Sequence, residues 1–268
     1  MSIFRYKADI FPVSLFFLYF FLDIYVYLSY ENIGAIFLYV AIGIILKAFI
    51  CAWNHHHQHV ETFHFPLANR ILEIVYWFQT GIVGYGWVLH HNFGHHMHYR
   101  DQSQDQSAWK SPKWEKYTPI VYTWIVATTA YVRAWNVGEK YKKIQKYFFF
   151  MCITQFTLLA FLIWHNPLMW TLLFLLPMIT GLILTVYTTY HHHSGLETDD
   201  PYEASYNIIA PWYNLLTGNL GYHTAHHIKW ALHWSRLPEF HSEIEMKIPK
   251  KYYKKYNLLS YTEATEAI

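Results

Sequence analysis

The sequence GAIFLYVAIGIILKAFICAWNHHHQH, residues 34–59, decides the fold of this 268-residue chain. Its first part, Gly34–Trp53, has one charged side chain, Lys47, and is long enough to cross the hydrocarbon core of a bilayer as a helix. The segment His55–His59 follows directly and contributes four imidazoles. The stretch therefore predicts a membrane helix that leads into a histidine-rich segment.

Three further apolar runs have similar length and composition: Ile10–Tyr30, Tyr147–Trp164 and Leu168–Tyr190. Charged residues make up only 14% of the chain, against about 25% in soluble domains. The first run is too long for a signal peptide, has no small-residue cleavage site after it, and is followed at once by another apolar run. The sequence therefore predicts four membrane-spanning helices.

Two other apolar segments, Ile71–Leu89 and Pro119–Trp135, are interrupted by polar residues such as Glu73 and Arg133. We expect them to form helices along the membrane surface rather than to cross it.

Lysine and arginine predict the orientation, because they accumulate in cytoplasmic loops. The connections at 31–33 and 165–167 hold none, whereas residues 54–146 hold ten and the tail after Tyr190 holds seven. Both termini and the middle loop are therefore predicted to be cytoplasmic. The expected architecture is one all-α integral membrane domain, residues 1–268, with spans at about 10–30, 34–53, 147–164 and 168–190 and a cytoplasmic helical cap formed by 54–146 and 191–268.

Asp23 lies inside the first predicted span, where an ionisable side chain is a functional candidate. Counting about 1.5 Å per residue puts Asp23 toward the outer leaflet and Lys47 toward the inner one. The sequence therefore predicts no direct contact between Asp23 and Lys47, and Lys47 is expected to reach the cytoplasmic surface.

Eighteen of the 19 histidines fall in the middle loop or the tail, on the predicted cytoplasmic side. Residues three or four apart share a helix face, so closely spaced histidines form pairs that can chelate a metal ion. Several converging pairs predict a di-metal site. The histidines form four boxes: HHHQH at 55–59, HNFGHH at 91–96, HHHSGL at 191–196 and HTAHH at 223–227.

Helical spacing predicts that His91 and His95 point the same way, with His96 turned about 100° around the helix. Imidazole alone leaves the metal open among Zn, Cu, Fe and Ni. Cys51 and Cys152 both lie in predicted spans and form no metal-binding cluster. A net charge of +2 gives no indication of nucleic-acid binding.

The order of these boxes around four spans resembles the membrane fatty acid desaturase and hydroxylase superfamily over roughly Trp53–Glu245. The tail segments GNLGYHTAHH, 218–227, and HWSRLPEFH, 233–241, are similar to bacterial fatty acid desaturases. The resemblance implies two non-haem iron ions that use O2 and electrons to attack an unactivated C–H bond of a lipid, most simply to desaturate a fatty acyl chain. It implies as metal ligands His55, His59, His91, His95, His96, His193, His223, His226 and His227.

The residues leave three alternatives. His191 and His192 adjoin His193, and only the following Ser-Gly-Leu favours His193. The second box has three residues before its histidine pair, which is similar to alkane hydroxylases, so hydroxylation of an alkane, acyl or other lipid chain is the alternative reaction. A His-rich metal-handling membrane protein is the alternative of another class.

The resemblance also implies a separate electron donor of the ferredoxin, rubredoxin or cytochrome type, since two cysteines cannot hold a four-cysteine cluster. The remaining histidines near the boxes are expected to support ligands or to lie at the surface: His56, His57, His64, His90, His98, His233 and His241. Carboxylates that can accept a hydrogen bond from a ligand ring N–H are Glu61, Asp101, Asp105, Glu197, Asp199 and Asp200, with a solvated loop position as the alternative for each.

Overall fold

The computed structural model describes residues 2–29, 31–257 and 260–263. The predicted all-α fold is confirmed, apart from one short antiparallel hairpin in the tail. The α-helices are α1 Ile10–Ser29, α2 Ile33–His59, α3 Pro66–Thr80, α4 Pro119–Gly138, α5 Lys142–His165, α6 Pro167–Trp170, α7 Leu176–His193, α8 Pro211–Thr217, α9 His223–Ile228 and α10 Leu237–Ile244. Strands β1 Lys254–Asn257 and β2 Ser260–Glu263 form the hairpin, with Lys254 opposite Glu263.

Two segments are π-helical, Val88–His96 and Thr171–Leu175. Short 3-10 helices cover Lys7–Asp9, Trp234–Arg236, Glu245–Lys247 and Lys250–Tyr252.

The chain forms two compact units. The first unit comprises Met1–Leu89 and Gly138–Thr185, and the second comprises His90–Val137 and Val186–Ile268. Residues 54–89, the first part of the predicted cap, belong to the first unit. Helix α3 packs there against α1 and α2, through buried Leu72 and Tyr76.

The described residues contain four helices that are long and apolar enough to cross a membrane, which confirms the predicted number of spans. They are Lys7–Ser29, Ile33–His59, Lys142–His165 and Pro167–His193. They also expose large apolar side chains, including Phe11, Leu18 and Trp164. Such surfaces suit a lipid environment.

Helix α2 does not end where the apolar sequence ends. It continues to His59 and has 27 residues, or about 40 Å, against about 30 Å for the hydrocarbon core. The first histidine box therefore forms the last turns of a spanning helix.

The stretch Ile71–Leu89 is not a single helix. Helix α3 has 15 residues, or about 22 Å, which is too short to cross the hydrocarbon core. It ends because Gly81 adopts a φ of 73°, a left-handed conformation that glycine takes without strain. A Cβ at Gly81 would also lie only 2.7 Å from the carbonyl oxygen of Met178.

The prediction that Asp23 and Lys47 do not meet is wrong. Lys47 Nζ lies 2.8 Å from Asp23 Oδ2, and both side chains are almost completely buried. Only three residues join α1 to α2, so the two helices run in opposite directions. Because side chains lean toward the N-terminus of their own helix, Asp23 and Lys47 lean toward each other across this pair.

The second unit has its own apolar core near the tail. Ala225 of α9 packs against Leu237, Phe240 and Ile244 of α10, and all four are buried. This contact fixes α9, the short helix that carries the fourth histidine box.

Candidate metal centre

In the first unit, the first box forms a close pair of imidazoles. His55 and His59 are four residues apart on α2, and their Nε2 atoms lie 2.9 Å from each other. His55 is buried, and the ring of Trp87 lies 5.3 Å from its ring.

The second box pairs differently from the α-helical prediction. Its backbone is π-helical, with hydrogen bonds between residues five apart, so His91 and His96 become neighbours. Their Nε2 atoms lie 3.0 Å apart. The ring of His95 stacks on that of His91, with 5.1 Å between the centroids, but its candidate ligand nitrogen belongs to another group of histidines.

Seven of the nine predicted ligands lie in the second unit, where they form two groups. In the first group, the candidate ligand nitrogens of His91, His96 and His226 all lie within 4.8 Å of one another. All three side chains are buried.

The second group brings together one histidine from each of three boxes. Candidate ligand nitrogens of His95, His193 and His227 also lie within 4.8 Å of one another. The ninth predicted ligand, His223, adjoins this group: its Nε2 lies 3.0 Å from His193 Nε2 and 3.2 Å from His227 Nε2.

These nitrogen separations fit a metal ion. Two nitrogens bound to one ion at about 2.1 Å and at right angles to each other are about 3.0 Å apart. The pairs His91–His96 and His193–His223 have this separation. Imidazole nitrogens are ligands for several transition metals, so the donor set suits a metal without naming it.

Asp105 gives the second group a further property of metal sites. Its Oδ1 lies 2.8 Å from His95 Nδ1, and Ser107 N donates to the same oxygen at 2.7 Å. With its Nδ1–H donated to a carboxylate, His95 presents the lone pair of Nε2. That buried atom has no hydrogen-bond partner among the described residues. This is how a carboxylate orients a metal-binding imidazole.

The three histidines of the third box lie in three different environments. His193 Nδ1 lies 3.1 Å from the carbonyl oxygen of Ala204, which leaves its Nε2 for the group. His192 is hydrogen-bonded on both nitrogens, to the carbonyl of Tyr206 and the hydroxyl of Tyr213. His191 lies in neither group of candidate ligands. The geometry agrees with the choice of His193, whose role as a ligand stays a prediction.

Burial favours the neutral form of two histidines of the second unit, the predicted ligand His227 and His90. It lowers the pKa of His227 well below its ordinary value, and the neighbouring imidazoles, His193 first, lower it further. Burial and the nearby Arg133 lower the pKa of His90 to about 3. Neutral imidazole is the form that binds metal ions.

Of the six candidate carboxylates, Asp105 is the one whose contacts in the described chain include a predicted ligand. Glu61 pairs with Arg5 and Arg70, and Glu197 pairs with Lys110. The carboxylates of Asp101 and Asp200 accept hydrogen bonds from nearby loop residues, Asp101 from Ser103 and Gln104 and Asp200 from the backbone N–H of Tyr202. At Asp199 it is the backbone carbonyl that accepts a hydrogen bond, from Arg100.

Three of the other histidines form hydrogen bonds outside the two groups. His57 Nδ1 lies 2.9 Å from the Thr62 hydroxyl, His233 pairs with Ser235, and His241 Nε2 lies 3.2 Å from the Tyr253 hydroxyl. The sequence did not identify Tyr99, whose ring centroid lies 4.3 Å from that of His227. Its position four residues after His95 was the available signal.

Four candidate spans and clustered buried imidazoles define an integral membrane protein with a candidate metal centre. The family model for fatty acid desaturases matches residues 32–260, and the chain belongs to this family. No curated protein matches the sequence significantly. Membership supports oxidation of a lipid chain by an oxidoreductase of the desaturase or hydroxylase type.

Proposed function

We propose that this protein is a di-iron oxidoreductase that uses O2 to desaturate a fatty acyl chain. The observation that carries the proposal is the pair of histidine groups in the second unit, with His95 Nε2 left open by the bond to Asp105. Family membership supplies the lipid substrate class.

The proposed ligand set follows the box order of the superfamily. His55 and His59 are included because the first box supplies ligands in proteins of this pattern. The full set is His55, His59, His91, His95, His96, His193, His223, His226 and His227.

Two bound iron ions would supply the oxidising chemistry. The chain's own residues hold the imidazoles: Asp105 fixes His95, and the carbonyl of Ala204 fixes His193. Burial of these rings excludes water.

Desaturation removes two hydrogens from adjacent carbons and reduces O2 to two waters, so it also consumes two electrons and two protons. The cysteines Cys51 and Cys152 are single residues within spans. A separate ferredoxin, rubredoxin or cytochrome therefore delivers the electrons. The distribution of Lys and Arg supports a cytoplasmic position for both termini and for the metal centre.

The decisive experiment is expression in a host that lacks such enzymes, followed by mass spectrometry of total lipids. Loss of two hydrogens from an acyl chain is the expected result. Gain of one oxygen would instead establish hydroxylation, the candidate that the H-x3-HH spacing of the second box favours.

Metal analysis tests the iron separately. Protein purified anaerobically and loaded with iron is expected to hold two iron ions per chain. Retention of zinc with no iron would refute the di-iron proposal.

The His226→Ala/His227→Ala double variant distinguishes an enzyme from a metal-handling protein. An enzyme loses product formation, whereas a transporter with an accessory histidine loop retains metal flux. Transport also requires ligands at membrane depth, and the apolar parts of the four spans offer few.

A further inference from the structure

The second unit contains a cavity of about 380 Å³ beside α4. One side is polar and comes from the loop after the second histidine box, while the α4 side adds the apolar side chains of Ile125 and Val126. Residues that decide its chemistry are Gln102, Asp105, Lys110, Trp114 and Arg133.

Arg133 brings a cation to this cavity. Its Nε donates to Thr129 Oγ1 at 2.7 Å and its Nη1 donates to the carbonyl of Gln106 at 2.9 Å. A guanidinium has five N–H donors, so three remain. Arg133 has no acidic partner in the described part of the chain.

Gln102 adds a second unsatisfied donor. Its Oε1 accepts from the backbone N–H groups of Trp109, at 2.8 Å, and Lys110, at 3.3 Å. These bonds fix which end of the amide is the oxygen. The Nε2 atom is buried and has no hydrogen-bond partner within residues 2–29, 31–257 and 260–263. A buried donor without a partner is destabilising, so a ligand that offers this atom an acceptor is favoured.

The charges at the cavity also favour an anion. The cavity is lined by two cations, Lys110 and Arg133, and by one carboxylate, Asp105. Asp105 Oδ1 is bonded to His95 and Ser107, and its Oδ2 has no hydrogen-bond partner among the described residues, so the cations outnumber the carboxylate by one. The counter-ion of Lys110 is Glu197, whose side chain is 62% exposed, so solvent screens that pair.

Trp114 forms part of the wall in an unusual backbone conformation. Its φ is 65°, which is rare for a bulky side chain, and Lys110 Nζ lies 5.2 Å from its ring centroid. Strain of this kind is commonly found at binding sites. The cavity thus combines a cationic, donor-rich side with an aromatic and aliphatic wall.

We infer that this cavity binds the anionic head group, a carboxylate or a phosphate, of the acyl substrate. Arg133 takes the anion in a charge-assisted contact, Gln102 donates to it, and Trp114, Ile125 and Val126 contact the first methylene groups. This inference rests on the proposed function and deepens it. It also distinguishes an acyl substrate from an alkane, because an alkane has no such head group.

The test measures binding and not turnover. Full-length protein in a non-ionic detergent is titrated with radiolabelled palmitate, with hexadecanol as the uncharged chain of equal length. Wild-type protein is expected to bind palmitate at least about tenfold more tightly than hexadecanol, the factor that a difference of about 1.4 kcal/mol gives. Arg133→Gln should remove this difference and leave hexadecanol binding unchanged.

Matched variants keep the result interpretable. Lys113→Gln removes an exposed cation that does not line the cavity and should bind like wild type. Arg133→Lys keeps the charge and should retain most of the preference, which guards against misfolding of Arg133→Gln. Gln102→Leu should weaken palmitate binding alone.

Inorganic phosphate distinguishes a lipid head group from a free ion. Phosphate that displaces palmitate only at much higher concentration supports a lipid-borne anion. Phosphate that binds as tightly as palmitate, equal binding of palmitate and hexadecanol, or an unchanged preference in Arg133→Gln would each overturn the inference. Head-group binding without any lipid product would sink the proposed function instead, so the two failures are distinguishable.

Discussion

Two buried polar pairs, one in each unit, show two different uses of charge in this protein. In the first unit, Asp23 and Lys47 neutralise each other at 2.8 Å. Tyr39 donates to the second oxygen of Asp23, and Lys47 also donates to the carbonyl of Leu173. In the second unit, Asp105 satisfies only one side of its partner, His95, and leaves Nε2 open.

We call Asp23 and Lys47 the closed pair, because each side chain is bonded to the other and to a further partner. We call Asp105 and His95 the open pair, because His95 Nε2 has no hydrogen-bond partner among the described residues. In a closed pair each charge offsets the other, so removal of one partner leaves an unpaired buried charge and destabilises the fold. An open pair presents an oriented lone pair to a ligand. We therefore expect substitutions in the first to change stability and substitutions in the second to change metal binding.

Removing the open imidazole has the largest expected effect. His95→Ala should abolish lipid product and lower the metal content of the purified protein, because the second group loses the nitrogen that Asp105 orients. Lipid mass spectrometry and elemental analysis measure the two results. His98→Ala is the matched control, since His98 lies in neither histidine group. Equal metal content in His95→Ala and wild type would contradict the assignment.

Breaking the closed pair should cost stability alone. Lys47→Met leaves the Asp23 carboxylate buried without a cation, and such a loss costs about 3–5 kcal/mol. The Asp23→Leu/Lys47→Met double variant should recover most of it. Unfolding of the purified protein in detergent measures both. Reduced metal content in Lys47→Met at unchanged stability would show that this pair serves the metal centre, and the comparison would fail.

Weakening the support of the open pair has a smaller effect. Asp105→Asn keeps the size of the side chain but removes the charge that holds the His95 N–H. Metal affinity should fall about 10–100-fold, the usual effect of losing a group that orients a ligand. Titration against a competing chelator measures it, with Asp101→Asn as the control in the same loop. An affinity equal to that of wild type would show that Asp105 does not orient the ligand.

The fold could be predicted from the sequence because it rests on length and composition. Gly34–Trp53 and the three other apolar runs each identify a span, and no tertiary contact is needed to find them. The contact between Asp23 and Lys47 could not be predicted by counting depth, because it depends on the direction in which side chains lean from antiparallel helices.

The site could be predicted less completely than the fold, because it depends on the local backbone conformation around the histidines. The spacing of the histidines identified the boxes. However, the second box is π-helical, so His91 pairs with His96 and not, as α-helical spacing predicts, with His95. Nothing in the sequence separated Asp105 from the other carboxylates, because its contact with His95 depends on the path of the loop between them.

The smallest effect is expected from a substitution of His241, a buried imidazole outside both histidine groups. His241 is buried, its Nε2 lies 3.2 Å from the Tyr253 hydroxyl, and the ring of Tyr222 lies 4.9 Å away. Burial lowers the pKa of His241 below its ordinary value, while Glu245 opposes the shift.

The unfolded state therefore binds the proton of His241 more tightly than the folded state does. Its contribution to stability is present above an unfolded-state pKa of about 6.5 and is lost as the pH falls below it. His241→Gln keeps a partner for Tyr253 and should reduce the loss of stability between pH 7 and pH 5, with no change in metal content. Thermal unfolding at several pH values measures the slope. A variant that loses metal would show that an imidazole outside the two groups also serves the centre, and burial beside other imidazoles would then no longer distinguish the ligands.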